Sequence, residues 1–207
     1  MKLDKFLSVL IQTGQDVSYS EKYKEIGLVA LFNLPELSDL LTTLPGAVFN
    51  KGLFKIHNIG SSYFWTQLSF EYFKKYKANS YCFAFDWTGR QYAVNYSNGI
   101  TKILLLDPAT AEVFELESDI KSFLTEELEE FKNGLLEAEK FSVYYSSLSE
   151  EFKFDQCLGF KQFLFLGGKD KLANIELIDM EVYWELNYQV YCKVKNLPAG
   201  TLVNLSI

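Results

Sequence analysis

The chain of 207 residues is poor in cysteine, proline and histidine, with 3 Cys, 4 Pro and the single His57. Each scarcity excludes something. Cys82, Cys157 and Cys192 are odd in number and far apart, so they offer neither a disulfide framework nor metal-ligand spacing, and they read as buried free thiols of a reducing compartment. One histidine leaves any Ser/His/Asp or Cys/His arrangement only His57 to be built on. The run Leu53–His57 reads as a strand, which favours a hydrogen-bonded structural histidine. A zinc site would have to be dominated by carboxylates, which is uncommon. No apolar run reaches the roughly 18 residues of a membrane-spanning helix. Met1–Thr13 carries Lys2, Asp4 and Lys5 within its apolar stretch and has no small-residue cleavage site, so no signal peptide is expected and the cytoplasm is the expected location. Positive charge is also short: 20 Lys and Arg against 27 Asp and Glu leave a net charge of −7 and a pI near 4.9. That balance argues against direct nucleic-acid binding and against anionic membranes.

Phosphate-binding loops are missing too. Gly167-Gly168-Lys169-Asp170 follows an apolar run, but Phe163 stands where a phosphate loop needs its first Gly, and Asp170 where it needs a hydroxyl. The two glycines read as a turn. Asp86, Asp155 and Asp179 lie near turns or element ends, yet no spacing selects a catalytic carboxylate pair. The sequence therefore implies no catalytic residue, no cofactor and no metal.

Aromatic residues are abundant, with 18 Phe and 13 Tyr, and hydrophobic residues make up 48% of the chain. This excludes a disordered polymer. A chain of this length buries roughly 70% of its unfolded surface and needs no covalent staple; one large domain or two small ones would fit. Leu3, Phe6, Leu7 and Leu10 share a helical face, Ser20 is placed to cap a helix from Glu21 that Gly27 ends, and Leu37, Leu40, Leu41 and Leu44 form a stripe between Pro35 and Pro45-Gly46. A further helix is expected over Phe64–Tyr76. From about Ser80 the period changes to two: Phe83, Phe85 and Trp87, then Tyr92, Val94 and Tyr96 across Thr88-Gly89, then Ile103–Leu106 and Val113–Leu116. This predicts a four-stranded meander. Beyond it come a helix from Asp119 with Ser118 as N-cap and Ile120, Phe123, Leu124, Leu128 and Phe131 on its apolar face, a helix over Phe141–Leu148, a strand over Phe160–Leu166, and a helix over Met180–Val194 capped by Asp179. The expected class is α+β, an antiparallel sheet whose central meander covers about residues 81–116, packed with helices from both ends of the chain.

Charge is unevenly distributed. Between Glu112 and Glu139 ten acidic residues face only Lys121 and Lys132, a net of −8, while the rest of the chain is close to neutral. One reading is a solvated helix face; the other is a contact surface for a basic partner, using Glu115, Glu117, Asp119, Glu126, Glu127 and Glu130.

Several strings resemble a known family. Asn50-Lys51-Gly52-Leu53-Phe54-Lys55-Ile56-His57 is similar to a stretch of the bacterial GAD-related domain, with Lys55 replacing the usual Arg, and Phe85-Asp86-Trp87-Thr88-Gly89-Arg90-Gln91-Tyr92-Ala93 is similar to the signature that follows it. Asp155–Lys161, with Gly159, then Leu166-Gly167-Gly168, Asn174–Leu177 and Asp179–Trp184 resemble a second family module. In this order they resemble the immunity proteins of type VI secretion DNase effectors, over about residues 30–200, and more distantly the SUKH-type immunity superfamily. The stretch before Pro35 matches weakly. The resemblance implies a GAD-related region over 1–105 and an immunity-type region over 106–207, integrated in one unit, monomeric or a small homo-oligomer. It implies a non-catalytic inhibitor that binds a cognate protein toxin, a nuclease. His57, Asp86, Trp87, Gly89, Arg90, Gly159, Gly167, Gly168, Asp179, Tyr183 and Trp184 are then motif residues read as structural, with Arg90 and Asp86 clamping a turn and Trp87 and Trp184 in the core. The competing reading places Asp86, Arg90 and His57 around a cleft for a small molecule or peptide, and a hydrolase has the least support.

Overall fold

The computed structural model describes residues 4–16, 34–97, 99–127, 132–198, 200, 201 and 203. Seven strands form one antiparallel sheet whose spatial order equals its chain order: β1 Gln12–Gln15, β2 Ala47–Phe49, β3 Phe54–Ile56, β4 Ser80–Asp86, β5 Gln91–Ser97, β6 Ile100–Asp107 and β7 Glu112–Leu116. The class is α+β, as expected. The sheet is larger than the four-stranded meander read from the sequence, because β1, β2 and β3 are three or four residues long, too short for alternation to register. A second sheet pairs β8 Gln156–Phe160 with β9 Ile175–Asp179.

Cross-strand neighbours share a face. The row Lys55–Phe85–Gln91–Leu106 lies on one face, and Ala84–Tyr92–Leu105–Phe114 on the other. Both faces are covered, which is why β4 is buried at nearly every position rather than alternating with solvent. On the first face sit α3 (Ile59–Tyr72) and α6 (Met180–Val194), whose aromatic rings meet where Trp184 packs against Trp65, Tyr72 and Phe73. On the second face, Phe123 packs against Phe83 and Tyr92. Phe123 opens a π turn, Phe123–Glu127, that continues the short α4 (Ile120–Ser122). Further helices among the described residues are α1 (Asp4–Val9), α2 (Pro35–Thr43) and α5 (Ala138–Tyr145).

Helix ends follow their caps. Asp179 accepts from Val182 N at 2.9 Å, fixing α6 where the sequence places it. Asn58 and Ser61 form a reciprocal capping box that starts α3 five residues before the expected Phe64; the helix ends at Tyr72, and Lys74–Tyr76 is a separate 3₁₀ turn. Asp119, not Ser118, caps α4, accepting from Ser122 N at 2.7 Å. The strand expected over Phe160–Leu166 is shifted: β8 ends at Phe160 and Leu164–Leu166 is a 3₁₀ turn. Asn174 holds that loop through Gln162 N, Gln162 O and Lys169 O. Gly167 there has φ +86°, and a Cβ on Gly168 would lie 2.1 Å from Gln162 O. Leu7 is 43% exposed rather than on the buried stripe with Phe6 and Leu10, and Cys192 is exposed on α6 while Cys82 and Cys157 are buried. The helix expected from Glu21 with its Ser20 cap, together with Leu128, Glu130 and Phe131, lies outside the described residues.

Candidate functional site

Asp86-Trp87-Thr88-Gly89-Arg90 forms the β4–β5 turn, and its own side chains close it. Asp86 is fully buried. Its Oδ1 accepts from Thr88 N (3.0 Å), Thr88 Oγ1 (2.7 Å) and Arg90 N (3.3 Å), an Asx-type turn. Oδ2 accepts from Arg90 Nε (2.7 Å) and Tyr92 OH (3.2 Å) and pairs with Arg90 Nη2 at 2.7 Å. Burial alone would lower the proton affinity of Arg90, but the facing Asp86 carboxylate more than offsets it, and the guanidinium stays charged. Gly89 adopts φ +83°, and a Cβ there would sit 3.0 Å from Cys157 Sγ.

The turn is also a junction. Arg90 Nη2 donates to Leu135 O (2.6 Å), Trp87 Nε1 to Leu136 O (2.8 Å), Trp184 Nε1 to Gly89 O (2.7 Å) and Leu158 N to Trp87 O (2.8 Å). One tight turn thereby ties the 135–136 loop, β8 and α6 to the main sheet. Tyr183 packs its ring against β8 where Gly159 leaves space: a Cβ at Gly159 would lie 2.7 Å from the ring, and Tyr183 OH accepts from Phe160 N at 3.4 Å.

His57 lies on the same sheet face and is fully buried. Its Nε2 is 2.8 Å from Gln91 Oε1, its Nδ1 is 3.1 Å from Ser61 Oγ, and its ring stacks on Phe85 at 4.7 Å. Burial lowers its pKa to about 3, with the Gln91 bond acting the other way, so the ring is neutral and the Gln91 oxygen assigns the proton to Nε2. A serine does contact this histidine, but Ser61 is itself buried within the capping box and an amide, not a carboxylate, orients the ring. That set lacks both access and the acid that a nucleophilic triad requires.

Lys55 is the residue whose role the pattern did not reveal. It is fully buried, and its ammonium donates to Lys153 O (2.9 Å), Phe154 O (3.1 Å) and Gln156 O (3.0 Å) while sitting 3.9 Å from the centre of the Phe152 ring. Burial pulls its pKa down to about 7, opposed by Cys157, Asp155, Asp86 and Asp16. A lysine between Phe54 and Ile56, at a position where the similar family stretch carries Arg, was the sequence signal of this strut.

The acidic run does not form one helix face. Glu112 and Glu115 are exposed on β7, and exposed Glu117 follows it; Lys102 on β6 bridges Glu115 (3.2 Å) and Glu117 (2.7 Å). Asp119 is engaged as the α4 cap. Glu126 and Glu127 lie in the π turn, and Glu137 pairs with Lys140 at 3.2 Å. A cavity of about 280 Å³ beside β6 and β7 is bordered by Tyr76, Asn95, Ser97, Ile100, Lys102, Leu104 and Glu115. Another, of about 380 Å³, lies over β1 and β2 against the 151–154 segment. Neither is bordered by Asp86, Arg90 or His57. Six donor contacts already occupy the two oxygens of Asp86. Among the described residues no group of three or more His, Cys, Asp or Glu is placed to hold a metal ion, and no helix is long and apolar enough to cross a membrane.

Residues 117–190 match the family described as T6SS immunity protein Tdi1, C-terminal. The matched span runs from the acidic segment through α5, β8 and β9 into α6. No curated protein matches the chain in sequence. Among solved structures the chain is similar to the crystal structure of Atu4351 from Agrobacterium tumefaciens, with a TM-score of 0.63 and 16% identity over 90% of this chain and 88% of that one. At that identity the shared property is the fold.

Proposed function

We propose that this chain, with the type VI secretion immunity domain over residues 117–190, is a non-catalytic inhibitor that binds a cognate toxin in the cytoplasm and blocks it. The family match over 117–190 is the observation that carries this reading. The N-terminal part is the GAD-related region, and it folds with the C-terminal region as one unit; β6, Ile100–Asp107, runs through the division between the two. The toxin is a nuclease. A nuclease that grips phosphate presents a basic face, and the acidic segment of this chain is complementary to it, raising the encounter rate and selecting the partner. Glu115, Glu117, Asp119, Glu126, Glu127 and Glu130 are the proposed contact residues.

The test is co-expression with a candidate type VI secretion effector nuclease. Protection of the cell, a 1:1 or higher-order complex on gel filtration and loss of DNA cleavage in vitro are expected, with an interface on the order of 1,600 Å². Reversing charge at Glu126, Glu127 and Glu130 together is expected to slow association and flatten its salt dependence. An unchanged rate and salt slope would remove those three residues from the interface.

A further inference from the structure

We propose that β7, the strand Glu112–Leu116 at one edge of the seven-stranded sheet, is where a basic, extended segment of the toxin docks, adding to the sheet as a further strand. This rests on the immunity reading and names the surface and the partner chemistry. Among the described residues β7 pairs only with β6, over five regular partners from Ile103–Leu116 to Asp107–Glu112. An open edge of this kind is a template for another strand, and proteins ordinarily blunt it with charged side chains, lysine above all, with proline or with a bulge. β7 has no lysine, proline or bulge, and the charges that guard it are both negative, so they repel an acidic or identical strand but not a basic one. It carries instead Glu112 and Glu115, with Glu117 just beyond, and the exposed ring of Phe114, 47% accessible, between them.

That pattern discriminates between occupants. A second copy pairing edge to edge would set glutamates against glutamates, which is unfavourable. A cation-bearing strand is attracted by the same charges. The bridges from Lys102 to Glu115 and Glu117 join partly exposed side chains, and such pairs are worth little and exchange readily for an incoming cation. β1, at the opposite edge of the sheet, is the uncharged Gln12–Gln15 with an irregular register, so the charge argument selects β7.

The register defines the segment. Side chains alternate between faces, so Glu112 and Phe114 share one face of β7, and Val113 and Glu115 the other. The added strand carries a basic residue facing Glu112, an apolar residue two positions on facing Phe114, and a basic residue facing Glu115. The stem of that last residue enters the 280 Å³ cavity bordered by Leu104, Tyr76 and Glu115.

The experiment uses the full chain and a purified candidate effector nuclease. Hydrogen exchange in the complex is expected to slow at least tenfold across 112–116, and Glu112→Lys with Glu115→Lys is expected to weaken binding at least tenfold while the melting temperature holds. If the wild-type chain binds and protects but exchange slows elsewhere and the double variant binds normally, the docking edge is wrong and the immunity reading stands. If the wild-type chain neither binds nor protects, both fall. Should the double variant fold poorly, the exchange pattern of the wild-type complex decides.

Discussion

Replacing Asp86 by Asn is the sharpest perturbation of the fold, because it changes one charge and almost no volume. The amide oxygen can still accept from Thr88 N and Arg90 N, but the anion that faces Arg90 Nε and Nη2 is gone. The Arg90 side chain is only 14% exposed, so its guanidinium is left with Leu135 O and with Asp107, which is not in direct contact, as its counter-charge. Breaking one side of a buried ion pair in this way costs about 3–5 kcal/mol, against a total stability of roughly 5–15 kcal/mol for a domain. At about 2–4 °C per kcal/mol for a chain of this size, the melting temperature should fall by roughly 6–20 °C. Urea unfolding followed by tryptophan fluorescence is the assay of choice, since Trp87 and Trp184 both bond at this turn. Arg90→Met should be costly too, and the double variant should lose less than the sum of the singles, because neither charge is then stranded. A change below about 1 kcal/mol for Asp86→Asn would refute the claim that this turn ties the two sheets together.

Acid should unfold the wild-type chain partly through His57. Its pKa is about 3 when folded against 6.5 when free, so its contribution is complete above pH 6.5 and lost as pH falls toward 3, up to about 5 kcal/mol at 1.36 kcal/mol per unit. His57→Gln should flatten the stability profile in that window, and an unchanged slope would mean the histidine is hydrated. Gly159→Ala forces a Cβ to 2.7 Å from the Tyr183 ring and 2.8 Å from Ile178 Cγ2; a loss of about 1–3 kcal/mol is expected in chemical denaturation. A thiol reagent should modify Cys192 quickly in the native protein and reach Cys82 and Cys157 only on unfolding, because burial raises both thiols, Cys82 to about 12. Fast modification of more than one thiol per chain would contradict the packing of β4 and β8.

What was legible in the sequence was local. α6 was readable to its ends because fifteen residues of helical period begin at a capping aspartate. β4 to β7 were readable because each is five to eight residues long and turn residues separate them. β1 to β3 were not, since three or four residues hold too little alternation. Turn chemistry suggested the Asp86–Arg90 clamp, but its partners Leu135, Leu136 and Trp184 lie 45 to 95 residues away and no spacing rule connects them. The same limit hid Lys55, whose acceptors lie about 100 residues downstream. Charge located the acidic segment and periodicity made its first part a strand and its continuation a helix, but nothing local told that this strand would be the edge of the sheet.

The proposed immunity function requires that this chain silence a toxin by binding it. Isothermal titration of the full chain with a candidate effector nuclease, run alongside DNA cleavage by that nuclease, measures both halves of that requirement. Stoichiometric, salt-sensitive binding with cleavage lost at the same equivalence point is expected. Absence of binding, or binding that leaves cleavage intact, would contradict it.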